Sequence, residues 1–236
     1  MKTPYGLEIV DNCGFCRLNK DQRFCNFSPE VLKAYSNIGH HSIFPGGALL
    51  FVEGQMPRGV FVLCAGRVKL STTSRDGKIL ILKIAKPGEV LGLSAVVSGS
   101  ACELTAQTAT PCQVNFVERE GLLRFLRKYG EAGLHSAQAL SKEFQSAYQD
   151  IHDLVLARSS AGKLARLLLS WSPPQSNGDE IRIRSGLTHE EMAQMIGSSR
   201  ETVTRLMTDL KRKQFIRLEG STLVISNKTA LEALAS

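Results

Sequence analysis

Two groups of side chains in this chain have types and spacings that could do chemistry. The first is Cys13, Cys16 and Cys25, a C-x2-C-x8-C run in NCGFCRLNKDQRFC. Three thiols within 13 residues, beside glycine and asparagine, are spaced for ligation rather than packing. Thiolates are soft ligands for an iron–sulfur cluster or for zinc, and a thiol–disulfide redox switch is the other chemistry open to them. An enzymatic dithiol at Cys13 and Cys16 lacks the strand-to-helix context such pairs need. Cys64 and Cys102 stand alone and read as packing thiols. His40 and His41 read as a solvated helix end, with a metal ligand as the other role open to them. The second group is Ser199, Arg200, Glu201, Thr204 and Arg205, followed by Lys211, Arg212 and Lys213. Positions 201, 204 and 205 share one face of a helix. Arginine donates two hydrogen bonds to guanine O6 and N7, and glutamate accepts from cytosine N4. The trailing cations suit phosphate contact.

The elements that position the second group are legible in the segment from Leu187 to Ser226. Thr188 is a good N-cap, and Glu191 three residues later completes a capping box. Met192, Met195 and Ile196 supply an inward face, and Gly197 ends the helix where a left-handed residue is needed. Ser199 caps a second helix with Val203, Leu206, Met207 and Leu210 inward. Two short helices joined by a glycine-containing turn form a helix-turn-helix, whose second helix presents its N-terminal side chains to the major groove. FIRLEGSTLVIS reads as a hairpin turning at Glu219 and Gly220, a wing. The expectation is sequence-specific binding to double-stranded DNA.

Upstream, short β-rich runs alternate with glycine turns from about His41 to Val117, which suggests an antiparallel sandwich or barrel. RDGK at 75–78 is a hairpin signal. Ser28 reads as the N-cap of a helix with Pro29 in its first turn. Between Ala137 and Leu154, apolar residues recur at Ala137, Leu140, Phe144, Ala147, Ile151 and Leu154. That narrow seam on one long helix fits homodimerisation through Leu140, Phe144, Ala147, Ile151 and Leu154, or packing on the chain's own β-domain. A further helix spans Ala161 to Trp171, closed by the breaker PPQSNGDE. The domains expected are 1–40, a cysteine-bearing segment and helix; 41–118, a β-domain; 119–158, the dimerisation helix region; and 159–236, the winged helix-turn-helix.

Net charge is +7 over 236 residues, and residues 159–236 hold 11 Lys/Arg against 8 Asp/Glu, about +3 of it. The case for DNA therefore rests on the motif and not on basicity. No apolar run approaches the roughly 18 residues of a membrane span, and the start has no apolar signal-peptide core. A cytoplasmic protein with reduced thiols is expected.

GSSRETVTR (197–205) followed by a wing resembles the CRP/FNR family of transcription regulators. The likeness extends to G-x-V-K-L at Gly66 to Leu70, PGEVLG at Pro87 to Gly92 and the long helix, and so covers nearly the whole chain. It implies an α+β fold: an N-terminal antiparallel β-roll (a double-stranded β-helix), a long dimerisation helix and a C-terminal winged helix-turn-helix. It also implies a non-enzymatic homodimer that binds an inverted repeat of TGTGA-like half-sites through Arg200, Glu201 and Arg205, with RNA polymerase as a partner. In the family's cyclic-AMP branch a glutamate holds the ribose and an arginine the cyclic phosphate. Leu93 and Glu103 occupy those places here, and Tyr148 and Gln149 stand where hydroxyls contact the adenine. A glutamate where the anion would sit is repulsive, which argues against cyclic AMP. The oxygen-responsive branch carries N-terminal cysteines plus one β-roll cysteine around a [4Fe–4S] cluster. That resemblance implies Cys13, Cys16, Cys25 and Cys112 as ligands, although the family's β-roll cysteine aligns about three residues beyond Cys112, near Asn115. A different small-molecule effector in the β-roll, with the cysteines holding zinc or acting as a thiol switch, is the alternative.

Overall fold

The computed structural model describes residues 5–7, 13, 16, 24–156, 159–171, 180–183, 187–220 and 222–235, with the side chains at 150 and 152–156 left out. The chain forms two compact units, Met1–Gly77 with Ile81–Ser146 and Lys78–Leu80 with Ala147–Ser236.

The first unit opens with helix α1 (Pro29–Ser36) and continues through strands β1 (Gly39–Phe44), β2 (Leu49–Phe51), β3 (Gly59–Ala65), β4 (Val68–Thr73), β5 (Ile79–Ala85) and β6 (Val90–Leu91). Helix α2 (Leu93–Ser98), strands β7 (Thr105–Thr108) and β8 (Cys112–Glu118), and helices α3 (Arg119–Lys128) and α4 (Gly130–Leu156) complete its run. The strands make two four-stranded sheets, ordered β1-β8-β3-β6 and β2-β7-β4-β5. Both are closed by turns at positive-φ glycines, including the RDGK hairpin at Gly77. Gly66 has φ 89°, and a Cβ there would collide with the Pro111 carbonyl, so only glycine lets the β3–β4 turn pass that strand.

Strand alternation gives this unit two separate cores. Leu63, Val68, Leu70, Leu91, Ala106, Cys112 and Val114 come from both sheets and fill the space between them. Val60, Val62 and Val117 lie on the other face of β3 and β8, where they pack with Cys13, Phe24, Phe27, Tyr35, Leu122 and Phe125. The N-terminal segment and helices α1, α3 and α4 thus share one apolar face of the first sheet. Four aromatic rings bind that layer together: Phe24, Phe27, Tyr35 and Phe125 contact one another at centroid distances of 5.5–6.2 Å, mostly edge to face.

Ser28 differs from its expected role. It precedes α1 at the N-cap position, but its side chain caps nothing. Its Oγ donates instead to a Glu131 carboxylate oxygen on α4, at 2.7 Å.

The second unit contains α5 (Ser160–Ser170), β9 (Ile181–Ile183), α6 (His189–Ile196), α7 (Arg200–Arg212), β10 (Ile216–Glu219), β11 (Thr222–Ile225) and α8 (Lys228–Ala235). Ser159 caps α5 by accepting from the Gly162 N–H. The expected wing hairpin forms with Glu219 opposite Thr222. A third strand joins it, β9, pairing antiparallel with β11. That strand is three residues long and follows a breaker, too short to show a period in the sequence. Leu164, Leu168, Ile196, Val203, Met207, Ile225 and Leu231 meet in one core. The expected order of β-domain, long helix and winged helix-turn-helix is the order this chain adopts.

Candidate functional site

The helix-turn-helix is built by local chemistry. Thr188 Oγ1 accepts from the Glu191 N–H while Glu191 returns a hydrogen bond to the Thr188 N–H, so the capping box is complete. Gly197 ends α6 at φ 63°, in the left-handed region. Ser199 Oγ then accepts from the Thr202 N–H to open α7. Val203, Met207 and Leu210 are buried against Met192, Ala193 and Ile196. Met195 and Leu206, both expected inward, are only partly buried. This packing turns Arg200, Glu201, Thr204 and Arg205 to solvent together.

Further detail was not legible in the sequence. His189 Nδ1 lies 3.0 Å from Thr204 Oγ1, which ties α6 to the exposed face of α7. Partial burial, together with the cations Lys211 and Arg200, pulls the His189 pKa below its ordinary value. The Glu201 carboxylate is held below the usual range by its own backbone N–H and by Ser199. Arg212 pairs with Asp209 at 2.9 Å. In the wing sheet, Arg217 forks onto both Glu180 oxygens at 2.7 and 2.8 Å and reaches Glu219, which also pairs with Arg182.

The thiols sort by the face of the first sheet. Cys112 is fully buried between the two sheets, where its thiol is shared between the Arg67 and Thr110 carbonyls. The structure does not bring Cys112 to the N-terminal cysteines. Cys112 and Asn115 are three residues apart on a strand and so face opposite ways. Asn115 is on the Cys13 side: its Nδ2 lies 4.0 Å from Cys13 Sγ. His41 Nε2 lies 3.8 Å from the same sulfur, and His40 and His41 sit in strand β1, not at a helix end.

The β-domain thiol on that side is Cys64. It shares the parity of Val60 and Val62 in β3, beside a register shift between Leu63 and Ala65. Burial pushes the Cys64 thiol up to about 12, and the nearby Cys13 and Cys16 add to the rise. Burial likewise raises Cys25 well above the usual thiol range, with Cys13, Cys64 and Cys16 contributing. Cys13 is raised by burial and by Cys16. The Tyr35 hydroxyl is completely buried beside Cys25 and has no hydrogen bond of ordinary length; the Asn115 Oδ1 is also buried without one. All six cysteines are free thiols. Among the described residues no three His, Cys, Asp or Glu side chains stand at the spacing of a single bound metal ion.

Two further surfaces complete the first unit and α4. A cavity of about 860 Å³ lies between the β-domain and the first half of α4, lined by Lys83, Glu89, His135, Lys142 and Glu143 among others. Lys83 pairs with Glu89 inside it. Leu93 is buried in the helical layer and Glu103 accepts from Ser94 Oγ, so neither is placed as an anion anchor. On α4, Phe144, Tyr148 and Ile151 are 58–62% exposed, and Ala147 is exposed too. Leu140 is half-buried against its own unit, and the Leu154 side chain lies outside the described residues. Among the described residues no helix is long and apolar enough to cross a membrane.

Comparison with known proteins matches residues 42–129 to the cyclic nucleotide-binding domain family and residues 162–234 to the Crp-like helix-turn-helix domain family. The chain is 27% identical over 210 residues to a CRP-like cAMP-activated global transcriptional regulator of Mycobacterium tuberculosis, covering 88% of this chain and 93% of the other. Its fold matches FixK2 from Bradyrhizobium japonicum with a TM-score of 0.72 at 19% identity, covering 84% of this chain and 98% of that one. It also matches the c-di-GMP responsive global regulator CLP of Xanthomonas campestris with a TM-score of 0.71 at 20% identity, covering 84% and 99%. A match to the cyclic nucleotide-binding domain family followed by one to the Crp-like helix-turn-helix family is the make-up of a CRP/FNR-type DNA-binding transcription regulator, not of an enzyme.

Proposed function

We propose that this regulator reads DNA as a homodimer and that its DNA affinity is set by an iron–sulfur cluster bound at Cys13, Cys16 and Cys25. The carrying observation is that Cys13 and Cys25 pack against the outer face of the β1-β8-β3-β6 sheet, with the buried Tyr35 hydroxyl beside Cys25. Burial first, and then neighbouring cysteine sulfurs, raise the Cys13 and Cys25 thiols above their ordinary range. A redox-sensing thiol needs the opposite, a low pKa and open access. Thiols of this kind ionise when a cationic group compensates their charge, which is metal ligation.

The residues fit such a group: the donors are thiols, the pocket is largely apolar, and Asn115 and Tyr35 stand by as hydrogen-bond donors. When bound, the cluster supplies a cross-link between the N-terminal segment and the β-domain. The chain's own residues do the rest. Phe24, Phe27 and Ser28 hold the first turns of α4, and α4 carries the exposed apolar seam for a second copy. A dimer places two copies of α7 about one helical turn of DNA apart. Arg200, Glu201 and Arg205 then read TGTGA-like half-sites while Lys211 and Arg212 contact phosphate. RNA polymerase as a partner follows from the family likeness.

The relative from Mycobacterium tuberculosis is cAMP-activated by its name, but Leu93 and Glu103 here replace the anchors that ligand uses. The test is anaerobic reconstitution with ferrous iron and sulfide, followed by titration of an inverted-repeat duplex. Bound iron with equal acid-labile sulfide, and tighter DNA binding than the apo-protein, is the expected result. A colourless product without sulfide would remove the cluster from the account, and bound zinc would replace it.

A further inference from the structure

We infer that Cys64 is the fourth thiolate of the cysteine site, completing a four-sulfur ligand set with Cys13, Cys16 and Cys25 for a [4Fe–4S] cluster. The inference rests on the proposed reading of the three N-terminal cysteines and adds the protein ligand that anchors them to the β-domain.

The geometry is that of three neighbouring strands. His41 of β1, Asn115 of β8 and Val62 of β3 are paired in one row across the sheet. Cys13 Sγ sits over the first two members of that row, 3.8 Å from His41 Nε2 and 4.0 Å from Asn115 Nδ2. Val62 packs in the same layer as Cys13. Cys64 is two residues along β3 from Val62, and its thiol turns back toward the Val62 carbonyl at 3.6 Å. Side chains two apart on a strand share a face. Cys64 therefore reaches the side of the sheet on which Cys13 lies. The β3–β8 register shift between Leu63 and Ala65 falls at Cys64 itself, and such irregularities re-aim a side chain at functional sites.

Cys16 follows Cys13 in a tight turn, its N–H donating to the Cys13 carbonyl at 3.2 Å. Cys25 is partly buried in the same layer, next to Tyr35. Two polar groups in this layer are buried and unsatisfied, Tyr35 Oη and Asn115 Oδ1, with residue exposures of 0% and 1%. An orphaned hydroxyl beside a thiol is costly unless it donates to something there, and a sulfur ligand carrying negative charge is a suitable acceptor. Asn115 Nδ2 already points at Cys13. Glycine at position 39 keeps that amide in place, because a Cβ there would overlap it. Ligation of a [4Fe–4S]2+ core, assembled from two ferrous irons, two ferric irons and four sulfides, replaces four S–H bonds with four Fe–S bonds and releases four protons to solvent, with no change of oxidation state.

The test uses the full chain. Wild type, Cys64→Ser and Cys112→Ser are reconstituted anaerobically with equal amounts of ferrous and ferric iron and with sulfide, and iron, acid-labile sulfide and the visible charge-transfer absorption are measured. The expected result is about four irons and four sulfides per chain in wild type and Cys112→Ser, with loss of both and of the absorption in Cys64→Ser. Retention of the full cluster by Cys64→Ser overturns the inference, as does loss in Cys112→Ser alone. If wild type takes up no cluster, the underlying reading fails and this inference fails with it. Circular dichroism and a urea midpoint check the fold of Cys64→Ser. Should that variant be unfolded, alkylation of wild type at raised pH before and after reconstitution decides. Labelling of Cys64 is lost on reconstitution if it is a ligand, and unchanged labelling overturns the assignment.

Discussion

Ser28 and Glu131 are 103 residues apart and are joined twice: the Ser28 N–H donates to one carboxylate oxygen of Glu131 at 2.8 Å, and its Oγ donates to the other at 2.7 Å. Three residues before Ser28 is Cys25, and Glu131 lies in the first turn of α4. His135, one helical turn on, donates from Nδ1 to the Phe24 carbonyl at 3.3 Å and stacks on Phe27 with an interplanar angle of 13°. The segment that carries Cys25 is thereby fastened to the start of the long helix, which is the route by which the proposed change at the thiols would reach α4. Such a coupling needs a differential interaction of only a few kcal/mol between two arrangements.

Glu131→Gln removes the charge and one acceptor of that fastening. Ser28 is exposed and Glu131 partly so, and the expected cost is about 0.5–1.5 kcal/mol, read as a lowered urea midpoint. The more informative readout is coupling. The ratio of DNA affinities with and without the reconstituted cluster should shrink in Glu131→Gln while affinity in the absence of cluster stays near wild type. An unchanged ratio would mean that α4 does not receive the signal through Ser28.

Arg205 is exposed on the reading face of α7 with Glu201 and Thr204. Arg205→Ala should cost about 1–3 kcal/mol on an inverted-repeat duplex and relax base preference at one position per half-site. Selection from a randomised duplex pool measures this directly. Weakening that is uniform across sequences would place Arg205 on phosphate instead.

Phe144 and Ile151 are 62% and 58% exposed and seven residues apart on α4, the repeat of a two-helix seam. Phe144→Glu and Ile151→Glu should each shift the chain toward monomer in sedimentation equilibrium. DNA binding should then become steeply dependent on protein concentration, since a monomer engages a single half-site. A dimer that survives both changes would place the interface elsewhere.

Partial burial of His189, with Lys211 and Arg200 nearby, makes the DNA-binding unit sensitive to acid. His189 has a folded-state pKa below its unfolded value of about 6.5, so the unfolded chain binds the proton more readily. The contribution is complete above about pH 6.5 and is lost as pH falls through the lower, folded pKa. The groups facing His189 are Lys211, Arg200 and the Thr204 hydroxyl, and both cations oppose protonation. Urea midpoints of wild type and His189→Gln should diverge least at acidic pH and most above neutrality. Parallel pH curves for the two proteins would dismiss His189 as a source of this dependence.

The sequence by itself determined the reading head. Capping box, terminating glycine, second cap and inward face all lie between Thr188 and Leu210 and act within one or two helical turns, so contiguous chain carries the whole signal. It also determined that three thiols gather near the N-terminus and that a β-rich unit precedes a long helix. Only the tertiary structure decided which β-domain thiol faces them. A strand's side chains alternate, and which face is covered depends on pairing between residues far apart in the chain. Cys112 therefore points between the sheets with Val114, while Asn115, three residues on, meets Cys13. Cys64 reaches the same layer because it shares the parity of Val62 next to a register shift that no run of residues announces. The fastening of Ser28 to Glu131 is of the same kind. Ser28 was legible as a helix cap, and a carboxylate 103 residues away claimed its hydroxyl instead.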